Sequence, residues 1–214
     1  MRGALIAFVS LISLAALTPA PKPVRLTSPA SYFIEDGQGV AGFDAADREL
    51  AEMALAAWAR ETGGHLKLVR ATEPASALLR IRWISPDEGV YGETERRMVK
   101  GQPGGIENVA PAIAGLGEPL ATLTRQDRLL RDSIVYFPCV HEIGHVIGLP
   151  HTRKFEDIMY SFTYGGDIVE YFSRYRRSLQ SRADLAGISG LSDNDRAALK
   201  SLYQPGPPAR VRPE

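Results

Sequence analysis

The chain has 214 residues, of which 44% are hydrophobic, and it carries 25 basic and 25 acidic side chains. This length and composition are typical of one globular domain with a full core, and the balanced charge argues against nucleic acid or an acidic membrane surface as the main partner. A single cysteine, Cys139, excludes a framework of disulfides within the chain. We interpret Cys139 as a buried small apolar residue, with a redox or inhibitory role as the alternative.

Residues 1–20 are typical of an export signal. Arg2 gives a short positive start, and residues 4–17 form an apolar run followed by small residues. Pro21 disfavours cleavage directly before it, which favours a site that ends at Ala15. The alternative is an uncleaved anchor, although the run is short for a membrane span. In both cases we expect an exported protein, extracellular or periplasmic.

Residues 21–40 are rich in Pro, Ser and Gly, which predicts an extended segment. A helical pattern begins at Asp44, which can form a capping pair with Asp47. Gly63 and Gly64 end this helix. Its apolar face consists of Leu50, Met53, Ala54, Ala57 and Trp58.

Two alternating segments follow this helix, at 66–69 and 78–84, and both are predicted to be strands. His65 stands at the start of the first strand, and we interpret it as a surface residue rather than a metal ligand.

Glycine and proline interrupt residues 86–131, and the pattern assigns no elements there. The one apolar island is 109–114. Calcium could bind through Asp87, Glu88 or nearby loop carbonyls, but no further residue supports such a site.

A short apolar run at 133–137 leads into the next helix, and Pro138 is well tolerated at the first positions of a helix. This helix and the turn after it contain three of the four histidines in the chain, within the sequence HEIGHVIGLPH. The segment therefore holds the candidate chemistry of the protein.

His141 and His145 are four residues apart, so on a helix they project from one face and can occupy two corners of a tetrahedral zinc site. Gly148 can adopt a positive φ and end the helix, which allows the chain to turn back and deliver His151 as a third ligand. Three protein ligands leave one position open for water, as in catalytic zinc sites. Glu142 is placed to act on that water rather than on the metal.

The segment 141–151 matches HExxHxxGxxH and resembles the zinc signature of the metzincin metalloproteases. Thr152 is similar to the Ser/Thr that follows the third histidine in the matrixins, the matrix metalloproteinase family. Residues 157–160 resemble the Met-turn of that family, with Met159 eight residues after the third histidine. Astacin-like metzincins have a tyrosine two residues after this methionine, where the present chain has Ser161.

The resemblance is closest over 132–160 and weaker over 40–85 and 190–203. It implies an α+β fold, the metzincin (zincin-like) catalytic domain, over residues 41–204. That domain has a twisted, mostly parallel sheet, a long N-terminal helix, a zinc-binding active-site helix and a C-terminal helix after the Met-turn.

The resemblance also implies a secreted zinc-dependent endopeptidase with one catalytic Zn²⁺. The metal ligands would be His141, His145 and His151, and Glu142 would be the catalytic base. Met159 would support the site as an apolar floor beneath the metal. A donor for the oxyanion is not identified, with Tyr160 and Tyr164 as candidates.

Two matrixin features are missing from the sequence. Matrixins bind a structural zinc through three histidines and an aspartate, and their zymogens carry an upstream cysteine that ligates the catalytic zinc. Residues 86–131 contain no histidine, and no cysteine lies between the signal and the domain, so we expect neither feature. In the family the edge strand that pairs with substrate comes from this same region, but Pro111 disfavours the apolar island as that strand.

Residues 167–170 resemble a capped helix start, and the last helix can be capped by Ser192 with Asp195. The first of these helices has an aromatic face that could be core or the wall of a specificity pocket, and a basic face that is most simply solvated but could favour acidic substrates. The aromatic face contains Ile168, Tyr171, Phe172, Tyr175 and Leu179, and the basic residues are Arg174, Arg176, Arg177 and Arg182. Residues 205–214 are predicted to form a disordered tail.

The expected partner is a protein or peptide substrate, without nucleic acid and without a stable membrane span after signal cleavage, and we expect a monomer. Two functions from other classes stay open. One is a zinc hydrolase acting on cell-wall peptide, and the other is a non-catalytic exported zinc-binding domain. The presence of Glu142 argues against the second alternative.

Overall fold

The computed structural model describes residues 25–85, 92–111 and 113–203. The expected export signal at 1–20, the candidate calcium ligands Asp87 and Glu88, and the expected tail at 205–214 lie outside the described residues.

Five strands form one sheet in the order β2-β1-β3-β5-β4. Strands β1, β2, β3 and β5 run parallel to one another, and β4 is antiparallel to β5. The sheet is therefore mostly parallel, as predicted, and β4 forms one of its edges in the described part of the chain. The strands are β1 Ala30–Ile34, β2 Leu68–Arg70, β3 Leu79–Trp83, β4 Gly92–Val99 and β5 Gln102–Val109.

The helices make the fold α+β, which confirms the predicted coarse class. They are α1 Asp47–Glu61, α2 Leu120–Gln126, α3 Arg128–Ile147, α4 Ile168–Arg176 and α5 Asp193–Tyr203. Within the described residues, no helix combines the length and the hydropathy that a membrane crossing requires.

The helix α3 is largely buried and packs against α1 and against strands β4 and β5. Trp58 of α1 is fully buried, and its indole N–H donates to the carbonyl oxygen of Val140 at 2.9 Å. On the other side, a Cβ atom on Gly105 of β5 would come within 2.6 Å of Val146 on α3. Glu107 is two residues further along β5 and therefore points towards the same helix.

Two helix starts differ from the prediction. The helix α3 begins at Arg128, ten residues before Pro138, because the Asp127 carboxylate caps it by accepting the N–H of Leu130 at 3.1 Å. The apolar run at 133–137 is thus helical, and Pro138 lies inside the helix. The helix α1 begins at Asp47 rather than Asp44, because the residues between them form a turn first.

The arginines of the predicted basic face are bound to partners within the chain. Arg176 pairs with Asp127 at 2.7 Å, and Arg182 pairs with the buried Asp132 at 2.6 Å, so both connect the segment after Met159 to the start of α3. The guanidinium of Arg174 lies 4.1 Å from the centre of the Tyr171 ring. These contacts do not support the alternative of a free basic surface for acidic substrates.

Candidate metal centre

The end of α3 brings the three candidate histidines together. His141 and His145 lie one turn apart on the helix, and Gly148 ends the helix with a φ of 116°. This left-handed conformation favours glycine and lets the N–H of Leu149 donate to Gly144 at 2.9 Å. The chain then reverses and places His151 beside the other two imidazoles.

The three Nε2 atoms converge on one point. Their separations are 3.1 Å between His141 and His145, 3.0 Å between His145 and His151, and 3.2 Å between His141 and His151. Three nitrogens at 2.0–2.1 Å from a tetrahedral zinc ion would be roughly 3.3 Å apart. The three histidines therefore lie close enough to bind one metal ion, and their spacing fits zinc.

Two backbone carbonyls fix the orientation of two of these rings. His141 Nδ1 is 2.6 Å from the oxygen of Ile158, and His145 Nδ1 is 2.9 Å from the oxygen of Leu149. A carbonyl oxygen can only accept, so each Nδ1 must carry the proton and each Nε2 must present its lone pair. This is the tautomer that a metal ligand requires.

The surroundings keep the imidazoles neutral. Burial, with a smaller contribution from the neighbouring imidazoles, lowers the pKa of His141 to about 3 and that of His145 to about 4, although the hydrogen bonds to the Ile158 and Leu149 oxygens act in the opposite direction. Burial also lowers the pKa of His151. Neutral imidazoles bind a cation without first releasing a proton, so the site is ready for metal at neutral pH.

Glu142 is held between α3 and the edge strand β4. Its side chain is buried, and the Thr94 hydroxyl lies 2.6 Å from Oε2 and donates to it. Burial raises the pKa of Glu142 to about 7, while the Thr94 hydrogen bond lowers it and the charge of Glu93 raises it. A Cβ atom on Gly92 would lie 2.5 Å from Glu142 Oε1, so the strand passes directly against the carboxylate.

Sequence reasoning missed Thr94 and Gly92, because β4 shows neither apolar alternation nor a recognisable motif. Both residues line a cleft of about 320 Å³ between β4 and α3. The cleft contains two of the three histidines together with the carboxylate. Its lining consists of Gly92, Glu93, Thr94, Arg96, Glu142, His145 and His151.

Met159 lies against the metal-bearing helix. Its side chain is buried, and its sulfur occupies the space that a side chain on Gly144 would fill. Gly144 directly precedes His145, so the thioether packs on α3 one residue from a candidate metal ligand. The turn is fixed by the N–H of Thr152, which donates to the Met159 oxygen at 2.8 Å.

The other residues considered from the sequence, which are two tyrosines, one histidine and the cysteine, do not contribute to the metal site. The Tyr160 hydroxyl donates to the oxygen of Gly165 at 2.6 Å, so its proton is already engaged, whereas Tyr164 is exposed. His65 is exposed and lies apart from the metal group. Cys139 is fully buried, and burial raises the pKa of its thiol, which agrees with its interpretation as a small apolar residue.

The aromatic face of α4 belongs to the core and also borders the His141 ring. Tyr171 and Phe172 are buried, and the Tyr171 ring packs against Phe155 at 5.5 Å. Between these rings and His141 lies a space of only about 10 Å³. This face is therefore core, as the first interpretation expects, and the space beside His141 is too small to hold a substrate side chain.

One buried carboxyl lies near this centre without an evident role. Glu107 on β5 is fully buried, and neither of its oxygens has a hydrogen-bond partner among the described residues. Burial raises its pKa well above the usual range, and the charge of Glu142 raises it further.

Neither the comparison with protein-family models nor the comparison with curated proteins gives a match to this chain. The functional assignment therefore depends on the residues and on the geometry of the site.

Proposed function

We propose that this protein is an exported zinc-dependent endopeptidase, similar to the matrixin-like metzincins. The observation that carries the proposal is the convergence of three Nε2 atoms within 3.2 Å of one another, beside the buried carboxylate of Glu142. A set of three neutral imidazoles leaves a coordination position open, which is the arrangement of catalytic rather than structural zinc sites.

The residues supply the proton transfers that peptide hydrolysis needs. Zinc, when bound, acts as a Lewis acid on the scissile carbonyl and lowers the pKa of a water ligand towards about 7. Glu142 takes a proton from the attacking water as its oxygen adds to the carbonyl carbon. Glu142 then gives this proton to the amide nitrogen as the C–N bond breaks. Thr94 keeps the carboxylate oriented throughout, through its hydrogen bond to Oε2.

The edge of β4 supports an extended peptide as the substrate. In the described sheet β4 pairs only with β5, so its other edge offers backbone donors and acceptors along the cleft. A peptide added there as a further strand would pass beside Glu142 and His145. This mode recognises the main chain of the substrate and needs only a few side-chain contacts.

The test compares Glu142→Gln with Glu73→Gln, which alters an exposed carboxylate outside the cleft. Glu142→Gln should retain one zinc per chain and lose peptidase activity by roughly 10²–10⁴-fold, since general acid–base catalysis contributes about that factor. Glu73→Gln should stay close to wild type. Unchanged peptidase activity of Glu142→Gln would refute the assigned base.

Metal dependence is tested on the same preparation. Chelation should abolish cleavage of casein, and one equivalent of zinc should restore it. A zinc-loaded protein that is inert towards a broad peptide library would favour the non-catalytic alternative, and cleavage of peptidoglycan without cleavage of casein would favour the cell-wall alternative.

A further inference from the structure

The backbone oxygen and the backbone N–H of Ile158 are both hydrogen-bonded to side chains. The oxygen of Ile158 accepts the Nδ1–H of His141 at 2.6 Å, and its N–H donates to Asp195 Oδ2 at 2.7 Å. Ile158 is fully buried, so neither bond can be replaced by bulk water. One residue thus connects a candidate metal ligand to the first turn of α5.

Asp195 is itself fixed at the start of α5. The N–H of Ser192 donates to the same Oδ2 atom at 2.9 Å, and the N–H of Asp195 donates to Ser192 Oγ at 3.0 Å. This reciprocal pair confirms the predicted cap of the last helix. The cap has a second role that the sequence did not indicate, because the carboxylate also reaches 37 residues back along the chain to Ile158.

The residue before Ile158 strengthens the same connection. Asp157 is fully buried and accepts hydrogen bonds from Ser192 Oγ at 2.6 Å and from Asn194 Nδ2 at 2.7 Å. The turn that carries the His141 acceptor is therefore bound to α5 through the side chains of both aspartates. Movement of α5 would move this acceptor.

We propose that Asp195 is a positioning residue of the metal centre, which couples the docking of α5 to the affinity for zinc through Ile158 and His141. The inference rests on the proposed zinc site, although it does not require peptidase activity. Partners that orient a ligating histidine typically contribute 10–100-fold to metal affinity, because they fix the ring and its tautomer.

The experiment measures zinc affinity of the full chain by competition with a chromophoric chelator. Asp195→Ala removes the acceptor of the Ile158 N–H, and we expect the Kd for zinc to rise by about 10–100-fold. Asp195→Asn keeps a carbonyl oxygen that can accept both N–H groups, so its Kd should stay within about fivefold of wild type. An Asp195→Ala protein with wild-type affinity would overturn the proposal.

Arg196→Ala is the matched control for a general loosening of α5. Arg196 pairs with Glu61 of α1 at 3.1 Å, so it docks the same helix without contacting Ile158. Its Kd for zinc should equal that of wild type, even where urea unfolding of the metal-free protein shows a loss of stability. An equal loss of affinity in both alanine variants at equal stability would also overturn the proposal.

A replacement variant and two possible results with wild-type protein complete the test, and only the last two separate this inference from the proposed function. Should Asp195→Ala fail to fold, Ser192→Ala takes its place, with a Kd at least about threefold higher expected and an unchanged Kd refuting the coupling. Wild-type protein that binds zinc but cleaves no peptide would end the peptidase proposal alone. Wild-type protein that binds no zinc would end both.

Discussion

The buried carboxyl of Glu107 gives a prediction about stability that does not depend on the metal. Its side chain is fully buried between β5 and α3, and burial together with the charge of Glu142 raises its pKa well above the usual range. The folded protein should therefore keep the Glu107 proton at pH values at which the unfolded chain has already lost it. The unfolded chain releases it near pH 4.3, the ordinary value for a glutamate.

The sign and size of the effect follow from this difference. The pKa of Glu107 is higher in the folded protein than in the unfolded chain. Its full contribution to the free energy of unfolding is therefore present below the pKa of the unfolded chain, and it decreases as pH rises towards the pKa of the folded protein. Each pH unit in that window lowers the free energy of unfolding by about 1.4 kcal/mol. Glu107→Gln cannot ionise, so its stability relative to wild type should increase by that amount for each pH unit inside the window.

Urea unfolding of the metal-free proteins at pH 5, 6 and 7 measures this difference. Glu73→Gln, which changes an exposed glutamate away from Glu107 and Glu142, should follow the wild-type pH profile at a constant offset. A constant offset for Glu107→Gln as well would show that Glu107 is ionised in the folded protein, and the argument from its burial would then be wrong.

Two predictions concern the orientation of Glu142. Thr94→Val removes the hydroxyl that donates to Oε2 at 2.6 Å, so kcat/KM for peptide cleavage should fall by about 10–100-fold, whereas Thr94→Ser should keep most of the activity. A fully active Thr94→Val enzyme would exclude this role. Gly92→Ala places a Cβ atom 2.5 Å from Oε1, so the Glu142 side chain has to shift from its position beside Thr94. Peptidase activity should then fall about tenfold while the free energy of unfolding changes by less than about 1 kcal/mol, and Gly187→Ala, at a position with open surroundings, should change neither quantity.

The arrangement of the histidines could be predicted because it depends on local rules. The four-residue spacing of His141 and His145 fixes their common face on any helix, and Gly148 permits the left-handed turn that returns His151. Helix caps are similarly local, which is why the pair of Ser192 and Asp195 was found from the sequence.

The remaining parts of the site depend on contacts between distant residues. Strands β4 and β5 are rich in glycine and charged residues, so neither the alternation of a strand nor the period of a helix indicated them. Thr94 reaches Glu142 across 48 residues, and no pattern in either segment indicates this pairing. The sequence also did not predict the start of α3, because all residues at 133–137 are buried and the run shows no amphipathic period.

The two edges of the sheet also influence how the protein behaves at high concentration. A flat, unpaired strand is a template on which other chains can aggregate, and natural sheets counter this with short edge strands or with charged side chains along the edge. Strand β2 has three residues, while β4 has eight and includes Glu93, Glu95, Arg96 and Arg97. Folded copies that stacked along β4 would have to desolvate these charges, so the open edge is protected against growth into fibrils while a single unfolded strand can still approach it.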